Sequence, residues 1–237
     1  MLLYFIRHGD PIYDPNSLTE LGLKQADALS KRLYKSGINK IFVSTSNRAI
    51  QTAEPTCKLL NLEPMMLDWC NEKYAYHEFT GLNREGKRCF LKDCDNYKRL
   101  FVSKRIRDLG FEWYKDKAFS EMKCKEGMDR INKETDLFIE QLGYKHNRDE
   151  ATYTAVMPNK DRVALFAHAG FGSVFLSSLL DIPYPMFASH FGISHSNIAV
   201  IEFDGDDEII PKVLTFSNDS HLYKEELPTT FCNGVII

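Results

Sequence analysis

The sequence predicts a three-layer α/β/α fold, in which helices cover both faces of a mostly parallel central sheet. Two observations predict this fold class. Three short apolar runs, at residues 2–6, 40–43 and 162–167, have the length and composition of buried strands. A helical pattern follows each run after a short loop, and strands that alternate with helices in this way are typical of parallel α/β sheets.

The three helices are predicted from apolar residues at helical spacing and from residues that favour helix ends. Their predicted spans are residues 18–36, 47–60 and 172–180. Ser17 or Thr19 is the expected N-terminal cap of the first helix, and Gly37 is expected to end it. Three strand–loop–helix units therefore form the core of the predicted fold.

Two further strand pairings are predicted outside these units. Residues 197–203 and 209–216 flank a short acidic turn that contains glycine, so we expect a hairpin added to the sheet. Residues 151–157 are expected to pair in the same way with the strand at 162–167.

Residues 83–150 interrupt the alternation and are rich in charged and aromatic residues. We expect several helices here, the last over about residues 122–142, with an apolar face made of Met128, Ile131, Thr135, Phe138 and Leu142. The aromatic residues form a small core or contact a substrate, and we favour the small core. The chain is thus predicted to be one domain, residues 1–237, with residues 83–150 inserted as a cap.

The composition is typical of a globular protein, with 237 residues of which 43% are hydrophobic and 27% charged. A net charge of -3 gives no indication of a nucleic-acid partner or an anionic membrane. No run approaches the roughly 20 apolar residues of a membrane span, and no export signal is seen, so we expect a cytoplasmic protein. Its six cysteines are expected to be reduced thiols without a structural zinc site.

Cationic or potentially cationic side chains follow all three predicted strands: Arg7 and His8, Arg48, and His168. Ligands of open parallel sheets bind at the carboxyl ends of the strands, so we expect these side chains to converge. Arginine binds two oxygens at once, and helix N-termini add partial positive charge, which favours phosphate or another oxyanion. Two imidazoles at such a site indicate chemistry as well as binding, since a neutral histidine nitrogen is a nucleophile.

Four stretches resemble motifs of one family, in the expected order: residues 5–9 (FIRHG), 18–22 (LTELG), 44–53 (STSNRAIQTA) and 166–170 (FAHAG). The chain resembles the histidine phosphatase superfamily, and within it the phosphoglycerate mutase-like group. The resemblance covers about residues 1–80 and 160–203 but not the insertion, and it implies a phosphoglycerate mutase-like fold.

The resemblance also implies roles for the site residues. His8 would be the nucleophile that becomes phosphohistidine, while Arg7, Arg48 and His168 would hold the phosphoryl group. Ala169, in place of the commoner glycine, would still present its backbone amide to the phosphate. Neither a metal nor another cofactor would be needed.

The general acid implied by the resemblance is a glutamate after the second helix. Glu72 is the preferred candidate because residues 71–73 (NEK) resemble the Asn-Glu-Arg stretch of the mutases. Asp68 and Glu78 are the alternatives.

Asp14 departs from the family pattern, because the family often has a phosphate-binding asparagine at this distance from the nucleophile. Either Asp14 contacts a cationic part of the substrate, or the loop takes a shifted path. His195 is a second candidate for substrate binding, the alternative being a histidine of a loop or the core.

The predicted function is hydrolysis of a small phosphomonoester, with inorganic phosphate as product, by a metal-independent phosphatase. A phosphoglycerate-type phosphomutase is the first alternative, since it would share the core. A phospho-ligand sensor without turnover is a lower alternative. The motifs predict neither the identity of the substrate nor the oligomeric state.

Overall fold

The structure is a computed structural model that describes residues 1–237. In chain order its strands are β1 Leu2–Arg7, β2 Pro11–Ile12, β3 Ser17–Leu18, β4 Lys40–Ser44, β5 Met65–Leu67, β6 Thr80–Leu82, β7 Arg88–Phe90, β8 Tyr144–Asn147, β9 Thr152–Ala155, β10 Arg162–Ala167, β11 Ile198–Glu202 and β12 Lys212–Asn218. The α-helices are α1 Glu20–Ser36, α2 Asn47–Leu60, α3 Glu72–Glu78, α4 Lys98–Phe101, α5 Lys104–Leu109, α6 Cys124–Gln141, α7 Ala169–Leu179, α8 Tyr184–His190 and α9 Ser220–Lys224. Short 3₁₀ turns span Asp68–Cys70, Gly110–Lys115 and Lys117–Phe119.

The predicted fold class is confirmed by a six-stranded central sheet with the order β12-β11-β1-β10-β4-β5. Strands β1, β10, β4 and β5 are parallel, while β11 and β12 run antiparallel. Side chains of β1 alternate between two apolar clusters, with Leu3 and Phe5 on one face and Tyr4 and Ile6 on the other. The sheet is therefore covered on both faces, as a parallel sheet requires.

The ends of the first helix follow from local hydrogen bonds. The N–H of Gly22 donates to Thr19 Oγ1 at 3.0 Å, so Thr19 is the cap, and Gly37 ends the helix with a left-handed φ of 67°. The helix begins two residues later than predicted, because Leu18 pairs with Pro11 in a two-stranded ribbon. The second helix has the predicted bounds, and the third begins earlier, at Ala169.

The hairpin predicted near the C-terminus is confirmed: β11 and β12 pair antiparallel, and β11 extends the sheet beside β1. The pairing predicted for residues 151–157 with 162–167 is wrong. Strand β9 pairs with β8 in a separate ribbon. The reason is that β10 is central and has both of its edges occupied, by β1 and β4.

Residues 83–150 pack onto the sheet rather than apart from it. The predicted apolar face of α6 is buried, and it belongs to the same apolar cluster as Phe5 and Phe171. Phe101, Trp113 and Phe119 of this segment are buried against one another and against Tyr184 of α8. These aromatic residues therefore form a core, as we favoured.

The expectation that all six cysteines are reduced is wrong for two of them, because Cys89 and Cys94 form a disulfide. Strand β7 and the turn that follows bring their Cα atoms to 5.7 Å, a separation that a disulfide spans. This bond removes one of the arguments for a cytoplasmic location. None of the helices is both long enough and apolar enough to span a membrane.

His146 of β8 is buried between two carboxylates. Its Nδ1 lies 2.8 Å from Asp136 of α6 and its Nε2 lies 2.7 Å from Asp181, just beyond α7. Arg148 donates to Asp136, and the Tyr153 ring stacks on the imidazole at 4.0 Å. Burial lowers the pKa of His146, but the hydrogen bonds to the two carboxylates outweigh it and raise this pKa above 6.5. His146 therefore connects the end of the inserted segment to the helix that follows β10.

We expect this cluster to make stability depend on pH. Because the pKa of His146 is raised by folding, its contribution to the free energy of unfolding is complete below 6.5 and is lost as the pH rises through the folded-state pKa. His146→Gln should lower the free energy of unfolding in acid by about 3 kcal/mol, since it removes the cation buried between two carboxylates and leaves only Arg148 to pair with them. Urea denaturation at a series of pH values measures both effects.

The exposed His190 provides the matched control, and His190→Gln should leave the free energy of unfolding nearly unchanged. A pH dependence of unfolding that is the same in the wild type and in His146→Gln would contradict the assignment.

Candidate active site

The site lies where β1, β4 and β10 end at one edge of the sheet. Arg7 is the last residue of β1, His8 follows it, and His168 follows β10. The backbone N–H of His8 donates to Ala167 O at 3.0 Å, which extends the pairing of the two strands to the site. The structure thus brings Arg7, His8, Arg48 and His168 together, all of them buried. The ring centroids of the two histidines are 5.2 Å apart.

The backbone has to pass close to its neighbours at this edge. A Cβ on Gly22 would lie 2.2 Å from Asp10 O, and a Cβ on Gly9 would lie 2.7 Å from Gly22 O. Both positions therefore require glycine. The start of α1 fits directly against the turn after His8, and Gln25 Oε1 accepts from the N–H of Asp10 at 2.8 Å.

His8 has one ring nitrogen available for chemistry. Its Nδ1 lies 2.7 Å from Gly9 O, and because a carbonyl only accepts, Nδ1 carries the proton. The lone pair is therefore on Nε2, which accepts from Arg48 Nε at 3.2 Å. Burial has the largest effect on the pKa of His8, followed by the interaction with His168 and the charges of Arg7 and Arg48, and together they hold it well below 6.5. The imidazole is consequently neutral at neutral pH.

His168 is oriented by β4. Its Nε2 lies 2.8 Å from Ser44 Oγ, while its Nδ1 has no hydrogen-bond partner. Burial is again the largest effect on the pKa of His168, followed by the charges of Arg48 and Arg7, and together they hold it well below 6.5.

The two arginines are anchored in different ways. Arg7 Nη1 donates to Ile193 O at 2.5 Å and Nη2 lies 2.7 Å from Cys232 Sγ, while Nε has no partner. Arg48 Nη1 donates to Asn16 Oδ1 at 3.0 Å, and its guanidinium lies 5.5 Å from the centre of the Tyr13 ring. The positions of both guanidinium groups are therefore defined without a carboxylate partner.

Asn16 is a site residue that the sequence did not identify. Its Oδ1 accepts from Arg48 Nη1, and its side chain also bonds to Ser46 beside the start of α2. Asp14 is exposed, and its carboxylate has no hydrogen bond to the other site residues. The loop that carries Asp14 therefore contacts Arg48 through Asn16.

Of the three carboxylates considered as the acid, Glu72 is the one at the site. It opens α3 and accepts from the N–H groups of Gly170 and Phe171, at 2.9 and 2.7 Å. These amides belong to the first turn of α7, which Ala169 begins. Burial raises the pKa of Glu72, and the two hydrogen bonds and the charge of Arg48 offset only part of the increase.

The other two carboxylates have partners of their own. Asp68 bonds to Thr45, Tyr74 and Lys73 on the surface, and these hydrogen bonds lower its pKa to about 2. Glu78 forms two hydrogen bonds with Arg130, at 2.6 and 2.7 Å. A carboxylate with a pKa near 2 is a poor proton donor at neutral pH, and an ion-paired one is held away from this role.

His195 lies beside His8. Its ring centroid is 6.0 Å from that of His8, and the side chain is almost fully buried. Nδ1 lies 2.8 Å from Thr230 Oγ1 and 3.6 Å from Asp10 Oδ1. Thr230 and Cys232 come from the C-terminal segment, and no sequence motif pointed to either of them.

Metal-ligating side chains are not clustered here or elsewhere, since no three of the His, Cys, Asp and Glu side chains are arranged to hold a metal ion. The positive charge of the site comes from guanidinium groups and helix N-termini.

Comparisons with known proteins found a family match and similar folds. Residues 3–99 match the model of the histidine phosphatase superfamily (branch 1), and this range includes Arg7, His8, Arg48 and Glu72. A comparison with curated protein sequences found no match.

Among solved structures, a phosphoserine phosphatase from Entamoeba histolytica in complex with 3-phosphoglyceric acid is similar, with 16% identity and a TM-score of 0.59 over 93% of this chain and 98% of that one. A mycobacterial glucosyl-3-phosphoglycerate phosphatase has 18% identity and a TM-score of 0.59 over 91% and 98%. A putative α-ribazole-5′-phosphate phosphatase from Escherichia coli has 17% identity and a TM-score of 0.58 over 92% and 98%. The family match over residues 3–99 and the fold shared along the chain confirm the resemblance to the histidine phosphatase superfamily that the four motifs predicted.

Proposed function

We propose that the protein is a metal-independent phosphatase, which hydrolyses a small phosphomonoester through a phosphohistidine on His8. One observation carries the proposal: the unprotonated Nε2 of His8, which accepts only from Arg48 Nε, lies in a pocket of buried cations with Glu72 at the same site. A neutral imidazole beside guanidinium groups is suited to attack a phosphorus atom whose oxygens those groups hold.

In the first step, the lone pair of His8 Nε2 forms a bond to phosphorus while the bond to the leaving oxygen breaks. Glu72, whose pKa is raised, gives its proton to that oxygen, so the alcohol leaves neutral. Arg48 Nε now donates to His8 Nε2, and it has to turn to a phosphoryl oxygen when the substrate binds.

In the second step, the Glu72 carboxylate takes a proton from water, and the resulting hydroxide attacks phosphorus. The N–P bond breaks and its electron pair returns to His8 Nε2, which releases inorganic phosphate. Throughout, Arg7, Arg48 and His168 stabilise negative charge on the phosphoryl oxygens, the role that a metal ion has in other phosphoryl-transfer enzymes.

The inserted segment is proposed to act as a cap through Phe90. A Cβ on Gly170 would lie 2.2 Å from Phe90 Cζ and 2.7 Å from Glu72 Oε1, so the Phe90 ring covers the acid and the start of α7. This position lets the cap exclude water from Glu72 and contact the leaving group. Exposed Asp14 is available for a cationic part of the substrate.

His8 is tested by trapping the intermediate. Brief reaction with a radiolabelled aryl phosphate in excess chelator, followed by denaturation in alkali, should leave label on His8 that acid releases. His8→Ala should form no labelled protein and should lose activity by on the order of 10³-fold or more.

Label on a serine or cysteine would refute the mechanism. Phosphate binding without turnover on a broad substrate panel would indicate a sensor instead. A long-lived phosphoenzyme that needs a bisphosphorylated activator would indicate a mutase.

Glu72 is tested by the pH dependence of kcat/KM. Because the acid must be protonated, activity should fall as the pH rises through the Glu72 pKa, which lies above the ordinary 4.5. Glu72→Gln should lower kcat for an alkyl phosphate by about 10²- to 10⁴-fold and abolish this descending limb. Asp68→Asn is the control, because Asp68 lies on the surface with partners of its own. This variant should show the same pH dependence of kcat/KM as the wild type. A descending limb that persists in Glu72→Gln would show that another group is the acid.

A further inference from the structure

Three nitrogen atoms of the site are buried and lack a hydrogen-bond partner: Arg7 Nε, His168 Nδ1 and His195 Nε2. Each such group has lost its hydration without gaining a partner, so native proteins keep few of them outside functional sites. A phosphoryl group has enough acceptor oxygens to pair several donors at once. Arg7 and His168 already belong to the proposed machinery, but His195 does not.

The position of His195 is fixed relative to the nucleophile. It lies in the loop before β11, where the N–H of His195 donates to Thr230 O at 2.9 Å and the N–H of Ser196 donates to His8 O at 3.0 Å. Backbone hydrogen bonds of residues 195 and 196 therefore connect this loop to the C-terminal segment and to His8.

Thr230 can set the tautomer of His195. A threonine hydroxyl both donates and accepts, and Thr230 Oγ1 lies 2.8 Å from Nδ1. When this hydroxyl donates to Nδ1, the single proton of the neutral imidazole is on Nε2, the nitrogen that has no partner. An Nε2–H group is a donor, which is what an oxyanion requires.

We propose that His195 is a third imidazole of the phosphate site, which donates from Nε2 to a phosphoryl oxygen, and that Thr230 is its positioning residue. The inference rests on the proposed function, and it gives the C-terminal segment a part in binding the substrate.

The charges around His195 support a neutral donor. Burial and the charge of Arg7 lower its pKa to about 3. The charged or titratable groups near it are Arg7, His8 and Asp10, with Cys232 beyond Arg7. His195 thus adds a donor without adding another cation, and its contribution should stay constant from mildly acidic to alkaline pH.

Two amide variants separate the two ring nitrogens. His195→Asn places an amide near the position of Nδ1 and removes the donor at Nε2, so the inhibition constant of inorganic phosphate should rise about tenfold to hundredfold. His195→Gln places an amide near the position of Nε2, so its inhibition constant for phosphate should stay within about threefold of the wild-type value. Inhibition is measured with 4-nitrophenyl phosphate as substrate, and thermal unfolding of each variant is recorded.

His221 is the matched control, because it is also buried and bonds to Ser196 through Nε2 without being part of the site. His221→Asn should leave the inhibition constant unchanged. Thr230→Val should weaken phosphate inhibition and Thr230→Ser should restore it, which keeps the test available if a His195 variant does not fold.

Equal inhibition constants in wild type, His195→Asn and His195→Gln would overturn the inference. If both His195 variants, or both Thr230 variants, raise the inhibition constant of phosphate equally, the effect comes from disturbed packing of the side chain. That result would overturn the inference as well. Failure of the proposed function is a different result: the wild type itself would neither bind phosphate nor form a phosphohistidine.

Discussion

The burial of Arg7 at the end of the central strand is the constraint on which the site depends. Only 1% of this residue is exposed, and β10 and β11 flank the strand on both sides. Its visible partners are a carbonyl and a thiol rather than a carboxylate. Burying cations without counter-charges costs several kcal/mol, so this site lowers the free energy of unfolding. The same buried positive charge attracts an anion.

The same burial sets the protonation states that the chemistry requires. Loss of solvent disfavours every charged form, so it lowers the pKa of His8 and raises the pKa of Glu72. Burial therefore favours an unprotonated His8 and a protonated Glu72, the states that the proposed nucleophile and acid require. Two groups whose environments move their pKa values in opposite directions are typical of acid–base sites. The carboxyl ends of the strands thus carry both the proposed anion site and the proposed acid–base pair.

Those parts of the site that follow strands could be predicted from the sequence, because parallel strands bring their carboxyl ends to one edge. Arg7, His8, Arg48 and His168 meet for that reason. Glu72 came from a motif resemblance, and its contact with the α7 amides explains how it reaches the site.

Residues whose position depends on loop paths could not be predicted in this way. Asn16 rather than Asp14 contacts Arg48, because the loop between β2 and β3 places it there. Thr230 and Cys232 are more than 200 residues from His8 along the chain and carry no motif. The Cys89–Cys94 disulfide and the β8–β9 ribbon join segments that are close in the sequence, but the pattern of apolar runs did not identify either of them.

A crystal structure with orthovanadate tests the central claim most directly, because vanadate adopts the five-coordinate geometry of phosphoryl transfer. The account predicts vanadium at bonding distance from His8 Nε2, equatorial oxygens on Arg7, Arg48 and His168, and the oxygen opposite His8 facing Glu72. Vanadate bound away from His8, or bound with Arg48 Nε still donating to His8 Nε2, would contradict it.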